Sequence, residues 1–301
     1  MSDLVFRTAE PADFDRTVEL MALGFPGVDK FSPAFLQWQY YDNPAGPPVG
    51  CNIDDGGRLI GHLMGIPLRV TLKGRATTVT LIMNVATHPD YRGRGLFLEL
   101  VNRVVAMSAE RGHAGVIGVA NQQTERAYRT KLGFQNVAPL DAHVELAPQR
   151  LDVAHALETA QFSRTWDDAT LAWRLKNPAN PLRIAGGGRD RLVIEGASTL
   201  PLIRSRAVIP RRGLTTSAAG LAAGPAVVLG LTPKGTAGRT LAMTVPERLR
   251  PSPLVLIYKN HAKPDDRLDP DTCSSASWIS TRSSYPRWPC MITAKPASIS
   301  R

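Results

Sequence analysis

At 301 residues, with 43% apolar and 21% charged side chains, the chain has room for two domains of about 150 residues and is neither disordered nor fibrous in composition. Its net charge of +10 lies wholly in the second half: residues 1–150 hold 15 Lys/Arg against 15 Asp/Glu, and residues 151–301 hold 21 against 11. Cys51, Cys273, Cys290 and six scattered histidines suggest neither a disulfide framework nor a zinc or other metal site, and they fit a reducing cytoplasm.

The N-terminus mixes charge with apolar residues, so no signal or transit sequence is expected. Leu4-Val5-Phe6-Arg7 reads as a strand. Glu10-Pro11 opens a helix whose Phe14, Val18, Met21 and Phe25 recur at helical spacing. Ser32-Pro33 starts a second helix carrying Trp38, and Asn43-Pro44 ends it. A β-meander follows over Val49–Ile53, Leu59–Leu72 and Thr77–Thr87, with turns at the glycine-containing joints. Leu96–Arg111 is an amphipathic helix and Gly115–Ala120 a short apolar strand. Asn121–Leu132 is a further helix with Gly133 as its left-handed terminator. Phe134–Leu146 reads as more strand.

Gln149–Ser163 looks like a connection between two bodies. Beyond it, a helix ending Trp173-Arg-Leu-Lys-Asn177-Pro178 echoes Trp38-Gln-Tyr-Tyr-Asp-Asn43-Pro44, which leaves internal duplication open. Leu214–Leu231 is broken by Gly220, Gly224, Pro225 and Gly230, so it reads as a core element and not as a membrane span. From Thr272 the chain is rich in Ser, Pro and Arg, and a loosely packed tail is expected. The organisation expected is therefore 1–150, 151–271 and a tail over 272–301. The basic second half lacks a Lys-rich tract with interleaved aromatics, so a solvated face outranks a nucleic-acid or acidic-polymer surface.

Chemistry concentrates at His88-Pro89-Asp90-Tyr91-Arg92-Gly93-Arg94-Gly95-Leu96-Phe97, a glycine-containing loop between strand and helix. Glycines let backbone N–H groups approach an anion, and the following helix aims its free donors and positive end at the same place. Arg92 and Arg94 add charge. The spacing fits neither G-x-G-x-x-G, since Leu98 occupies the third glycine position, nor a P-loop.

Arg92-x-x-Gly95-x-Phe97 resembles the pyrophosphate loop of the GNAT superfamily of acyl-CoA N-acyltransferases, Arg/Gln-x-x-Gly-x-Gly/Ala, departing from it at Phe97. Asn121 through Lys131-Leu132-Gly133-Phe134 is similar to the family's second half-site, and the likeness in element order runs from Leu4 to about Leu146. The resemblance implies an α/β (mixed α+β) fold, a twisted mixed sheet flanked by helices, with a second domain that could be a degenerate repeat. It implies acetyl-CoA or another short acyl-CoA as cosubstrate. The strand ending at Thr87 would splay from Gly115–Ala120, the backbone at Val85 and Thr87 would bond the pantetheine arm, and the amides of Gly93, Arg94, Gly95, Leu96 and Phe97 would hold the pyrophosphate. Asn121, an N-cap in any case, would contact the cofactor near the open end.

Attack by a lysine-like amine at pH 7 requires its neutral form, which costs about 4.6 kcal/mol to reach, so a base or a water relay matters. Thr80–Thr87 contains no Asp or Glu; Asn84 could orient a water but not take a proton. Tyr128 is the candidate general acid, lying nearly two helical turns from Asn121, although Arg129 fills the family's usual offset from Gly133. His88 reads as a structural part of the loop. The expectation is N-acyl transfer to a small-molecule or peptide amine; the alternative is an acyl-CoA-binding module without catalysis.

Overall fold

The computed structural model describes residues 4–28, 31–148, 152–198, 202–220, 222–236, 242–246, 254–263 and 265–273. β1 (Val5–Thr8) is followed by α1 (Phe14–Gly24) and α2 (Pro33–Tyr40). Ser32 caps α2 by accepting the Phe35 N–H, with Pro33 in the first turn where its missing donor is harmless. β2 (Val49–Asp55), β3 (Arg58–Leu72) and β4 (Arg75–Thr87) then form the expected meander, and β1 pairs with β2. α3 (Leu96–Glu110) crosses over to β5 (Gly115–Ala120), which lies parallel to β4. α1 and α2 bury Leu20, Met21 and Leu36 on one face of this sheet. α3 buries Leu100 and Val104 on the other, where α4 (Gln122–Lys131) adds Tyr128.

The apolar run after Gly133 divides into β6 (Gln135–Pro139) and β7 (Asp141–Glu145), and these two strands belong to different sheets. After β7 come α5 (Val153–Thr159), β8 (Phe162–Arg164), which pairs with β3, and α6 (Asp168–Leu175). The second sheet adds β9 (Arg183–Gly187), β10 (Arg191–Ala197), β11 (Arg204–Pro210), β12 (Ala226–Gly230) and β13 (Ala242–Thr244), with β7 between β12 and β13. β14 (Val255–Asn260) returns to the first sheet and fills the gap between β5 and β6. Residue 150 thus divides the chain but not the sheets, because the first half lends β7 to the second sheet and the second half lends β8 and β14 to the first. Gly115 permits the insertion: a Cβ there would lie 2.5 Å from the Lys259 carbonyl oxygen of β14.

Both sheets follow one plan. β9-β10-β11 is an antiparallel meander followed by parallel β12, a lent antiparallel strand and a last antiparallel one, as in β2-β3-β4-β5-β14-β6. The second sheet is thereby compatible with a GNAT-like repeat, but its crossover at 211–225 has no helix among the described residues. Of the expected tail, Thr272 ends a 3-10 turn and Cys273 is buried against Phe162; 274–301 lie outside the described residues.

The helix echo is also structural. Ser32 and Asp167 cap α2 and α6 at the same distance before Trp38 and Trp173, and Asn43 and Asn177 accept the N–H of Ala45 and Ala179 at 3.0 and 3.1 Å. The two indoles stack at 4.7 Å, and each Nε1 donates to the other residue's carbonyl oxygen at 2.8 Å. Trp38→Phe takes the indole donor from the buried Trp173 carbonyl, which keeps only the 3.2 Å contact from the Lys176 N–H. It should cost about 1–3 kcal/mol in urea unfolding, and adding Trp173→Phe should cost less than the sum of the singles. Strict additivity would show that the two bonds are not one device.

Candidate functional site

β4 and β5 pair only at Thr80↔Val116 and Leu81↔Ile117, although β4 continues to Thr87 and β5 to Ala120. The cause lies in β4: Asn84 is left-handed (φ 55°), and the β3 register shifts between His62 and Met64, which marks a bulge. A bulge bends its strand and strengthens its twist, so the sheet opens beside Val85–Thr87.

The loop beyond β4 is braced from beneath. His88 is buried and accepts the Asp90 N–H, and Arg58 contacts its Nε2 at 2.7 Å, which makes it a structural residue of the turn. The Tyr91 hydroxyl donates to Asp55, Arg94 lies over the Tyr91 ring at 4.8 Å, and Arg92 donates to the Gly24 carbonyl. Gly93 and Gly95 are both left-handed (φ 76° and 77°), and a Cβ added at either would meet no atom within 4 Å. Among the described residues, the N–H groups of Gly93, Arg94 and Gly95 donate to no protein acceptor. Those of Leu96 and Phe97 open α3, where no intrahelical acceptor exists. This run of amides at a helix N-terminus forms a cradle for an anion.

Phe97 turns away from that cradle. Its ring packs edge-on against Tyr128 at 5.3 Å, on the α3 side of the sheet. Tyr128 also meets Phe134 at 5.1 Å, is only 5% exposed, and burial holds its phenol above the ordinary range. No hydrogen bond ties its hydroxyl to another described residue. Arg129 points outward and pairs with Glu125 at 3.7 Å, so Tyr128 is the residue that faces inward here. Asn121 caps α4, its Oδ1 accepting from Gln123 and Thr124, which leaves its Nδ2 uncommitted.

Asn84 is anchored by α2. Its side-chain N–H groups donate to Gln39 and to the Tyr40 hydroxyl, so only its Oδ1 is left to orient a water. Val85, Thr87 and the Arg92–Phe97 loop thus border the opening, Tyr128 is packed on the α3 side of the sheet, and half-buried Asn84, beside Val85, is held from the α2 side. Gln39 and Tyr40 escaped the sequence reading because helical periodicity does not reveal which polar side chain meets a bulge on another element.

Behind Tyr40 lies a buried polar chain that also left no motif. Arg7 clamps Asp13 with two 2.6 Å bonds, Asp13 accepts from Asn52 Nδ2, and Asn52 Oδ1 meets His62 Nδ1 at 2.7 Å. The Asn52 orientation puts the proton on His62 Nδ1 and leaves Nε2 a buried lone pair without a partner. Burial lowers the His62 pKa to about 4, and the Arg7 hydrogen bond lowers Asp13 to about 2. The unfolded chain therefore takes up protons first, and His62 removes stability as pH falls from about 6.5 to 4, up to about 3 kcal/mol. Asp13 adds a second loss below about 3.8. His113, His143 and His261, shifted the same way by burial, add to the first slope. His62→Gln should remove about one proton's worth of that slope in urea midpoints measured from pH 7 to 4; an unchanged slope would show that His62 is not buried neutral.

Among the described residues no helix is long and apolar enough to cross a membrane, and no cluster of three His, Cys, Asp or Glu could hold a metal ion. Residues 5–137 match the family model described as an acetyltransferase (GNAT) domain, and this part of the chain is a GNAT domain. A GCN5-related N-acetyltransferase from Kribbella flavida superposes with a TM-score of 0.55 at 15% identity, covering 86% of this chain and 71% of its own. A conserved protein of unknown function from Enterococcus faecalis gives 0.57 at 12% identity, covering 86% and 73%. At these identities the likeness establishes the fold, and it extends across both sheets. No curated protein matches the chain.

Proposed function

We propose that the GNAT domain at residues 5–137 transfers an acyl group, acetyl in the first instance, from acyl-CoA to the amine of a small molecule or peptide by direct attack, in the cytoplasm. The observation that carries this reading is the unsatisfied amide run Gly93–Phe97 at the head of α3, kept open because Phe97 packs on Tyr128. The residues fit the cosubstrate: the amides suit a pyrophosphate, Arg92 and Arg94 supply charge at its rim, and the unpaired side of Val85–Thr87 offers strand-like donors and acceptors to an amide-bearing arm. Asn121 Nδ2 would reach the same ligand from the other wall. Acetyl-CoA brings the activated acyl group as a thioester.

The chain's own contribution is then positioning and proton management. Tyr128, neutral at physiological pH because burial opposes its ionisation, would hydrogen-bond to the departing sulfur. Asn84 Oδ1 would hold a water against the incoming amine, with its own amide fixed by Gln39 and Tyr40. Tyr128→Phe should lower kcat about a hundredfold or more while leaving acetyl-CoA affinity within about twofold. An unchanged kcat would remove Tyr128 from the chemistry.

The lack of a carboxylate on Thr80–Thr87, together with the engaged amide of Asn84, favours a second reading in which the domain binds acyl-CoA without turnover. Tight acetyl-CoA binding with no transfer to any amine would select it.

A further inference from the structure

A cavity of about 380 Å³ lies where α4 ends and β6 runs beside β14, at the end of β5 remote from Asn121. Phe134, Asn136, Tyr258, Arg129, Arg267 and Asp266 are among its walls. Two buried polar groups of that wall are incompletely matched: the Asn136 Oδ1 accepts from nothing, and the Tyr258 hydroxyl, in a residue only 1% exposed, has the Asn260 side chain beside its oxygen but no acceptor for its own proton. Buried polar groups are nearly always matched, so an unsatisfied acceptor and a hydroxyl proton without an acceptor beside one cavity need an explanation.

The neighbouring groups cannot supply it. Asn260 offers no acceptor to that proton: its Nδ2 donates to Asp266 and lies toward the Tyr258 oxygen, and its Oδ1 accepts from Ala262 and Lys263. Gln135 is likewise closed on the backbone of Leu268 through both side-chain atoms. Asn136 Nδ2 is held by Glu125, which turns Oδ1 away from that carboxylate. Asp266 is matched by Lys73, whereas Arg267 is exposed and has no ion pair among the described residues; Arg129 has only the 3.7 Å contact to Glu125. The wall therefore presents guanidinium charge, one hydroxyl able to donate and one carbonyl oxygen able to accept.

We propose that this cavity binds a small hydroxylated organic anion, a phosphate monoester or a carboxylate, at a site separate from the acyl-CoA opening. The anionic end meets Arg267 and Arg129, which suit phosphate and carboxylate alike. A ligand hydroxyl donates to Asn136 Oδ1, and a ligand oxygen accepts from Tyr258. The walls come from α4 and β6 on one side and from β14 and the segment after it on the other, so an occupant also bridges the lent strand to its host sheet.

The test is calorimetric titration of the full chain, with and without saturating coenzyme A, using glycerol 3-phosphate, glycerate and glycerol. At least one of the two anions should bind at millimolar or better affinity, glycerol should not, and coenzyme A should leave the affinity unchanged. Arg267→Ala, an exposed substitution that should fold normally, should weaken binding about tenfold. Tyr258→Phe, which removes the hydroxyl and leaves the buried ring in place, should weaken it severalfold. Glycerol binding as well as the anions, competition by coenzyme A, no binding by either anion, or affinities untouched by both substitutions would each overturn the proposal.

Discussion

Gly95→Glu should abolish the thermal stabilisation that acetyl-CoA confers on the wild-type chain. A ligand bound only to the folded state at a hundredfold excess over its Kd adds about 2.7 kcal/mol, a rise of several degrees in Tm for a chain of this size. A Cβ at position 95 would meet no atom within 4 Å, so the site has room for a side chain to begin. The glutamate must instead hold a left-handed backbone, at about 1–2 kcal/mol, and it sets a carboxylate among amides arranged for an anion. Gly95→Ala separates these effects, because it carries the backbone cost without the charge. The alanine variant should melt lower yet still respond to acetyl-CoA, and the glutamate variant should not respond. A full response in Gly95→Glu would place the pyrophosphate elsewhere.

Arg206→Ala should be among the most destabilising single changes outside that loop. Arg206 on β11 bonds Glu195 of β10 at 2.6 and 2.9 Å, Glu145 of the lent strand β7 at 3.3 Å and the Gly224 carbonyl at 3.1 Å. The side chains of Arg206 and Glu145 are 0% exposed and that of Glu195 is 1% exposed. Removing the arginine takes the buried cation from two buried carboxylates, with Glu195 keeping its contact with Arg183, so about 3–5 kcal/mol should be lost in urea unfolding. Replacing all three residues by apolar ones of similar volume should recover most of it, because the desolvation cost disappears with the charges. A loss under about 1 kcal/mol for Arg206→Ala would mean that water reaches this network.

The sequence made the first sheet legible because each of its elements carries a local signal. Ser32-Pro33 and Asn121 start helices as read, the meander alternates with turn glycines, and Arg92–Gly95 announces a left-handed glycine loop at the head of α3. The lent strands were not legible. Val255–Asn260 looks like any apolar strand, and its partners β5 and β6 are fixed only by tertiary packing, for which the sole local hint is Gly115 beside the Lys259 carbonyl. The helix echo was half legible: Trp38 and Trp173 show in the sequence, but their reciprocal bonds do not. Phe97, which departs from the family pattern, proved compatible with the cradle because the first turn of α3 points its side chain toward Tyr128. The Arg7–Asp13–Asn52–His62 chain is assembled from elements far apart in sequence, and no spacing rule would collect it.

The central claim, acyl transfer at the opening beside Gly93–Phe97, is tested most directly by incubating the purified chain with acetyl-CoA labelled in the acetyl group and a panel of small and peptide amines. The account predicts label on at least one amine, released coenzyme A in equal amount, and loss of both with Gly95→Glu. Bound acetyl-CoA with no labelled amine and no released coenzyme A across the panel would contradict it.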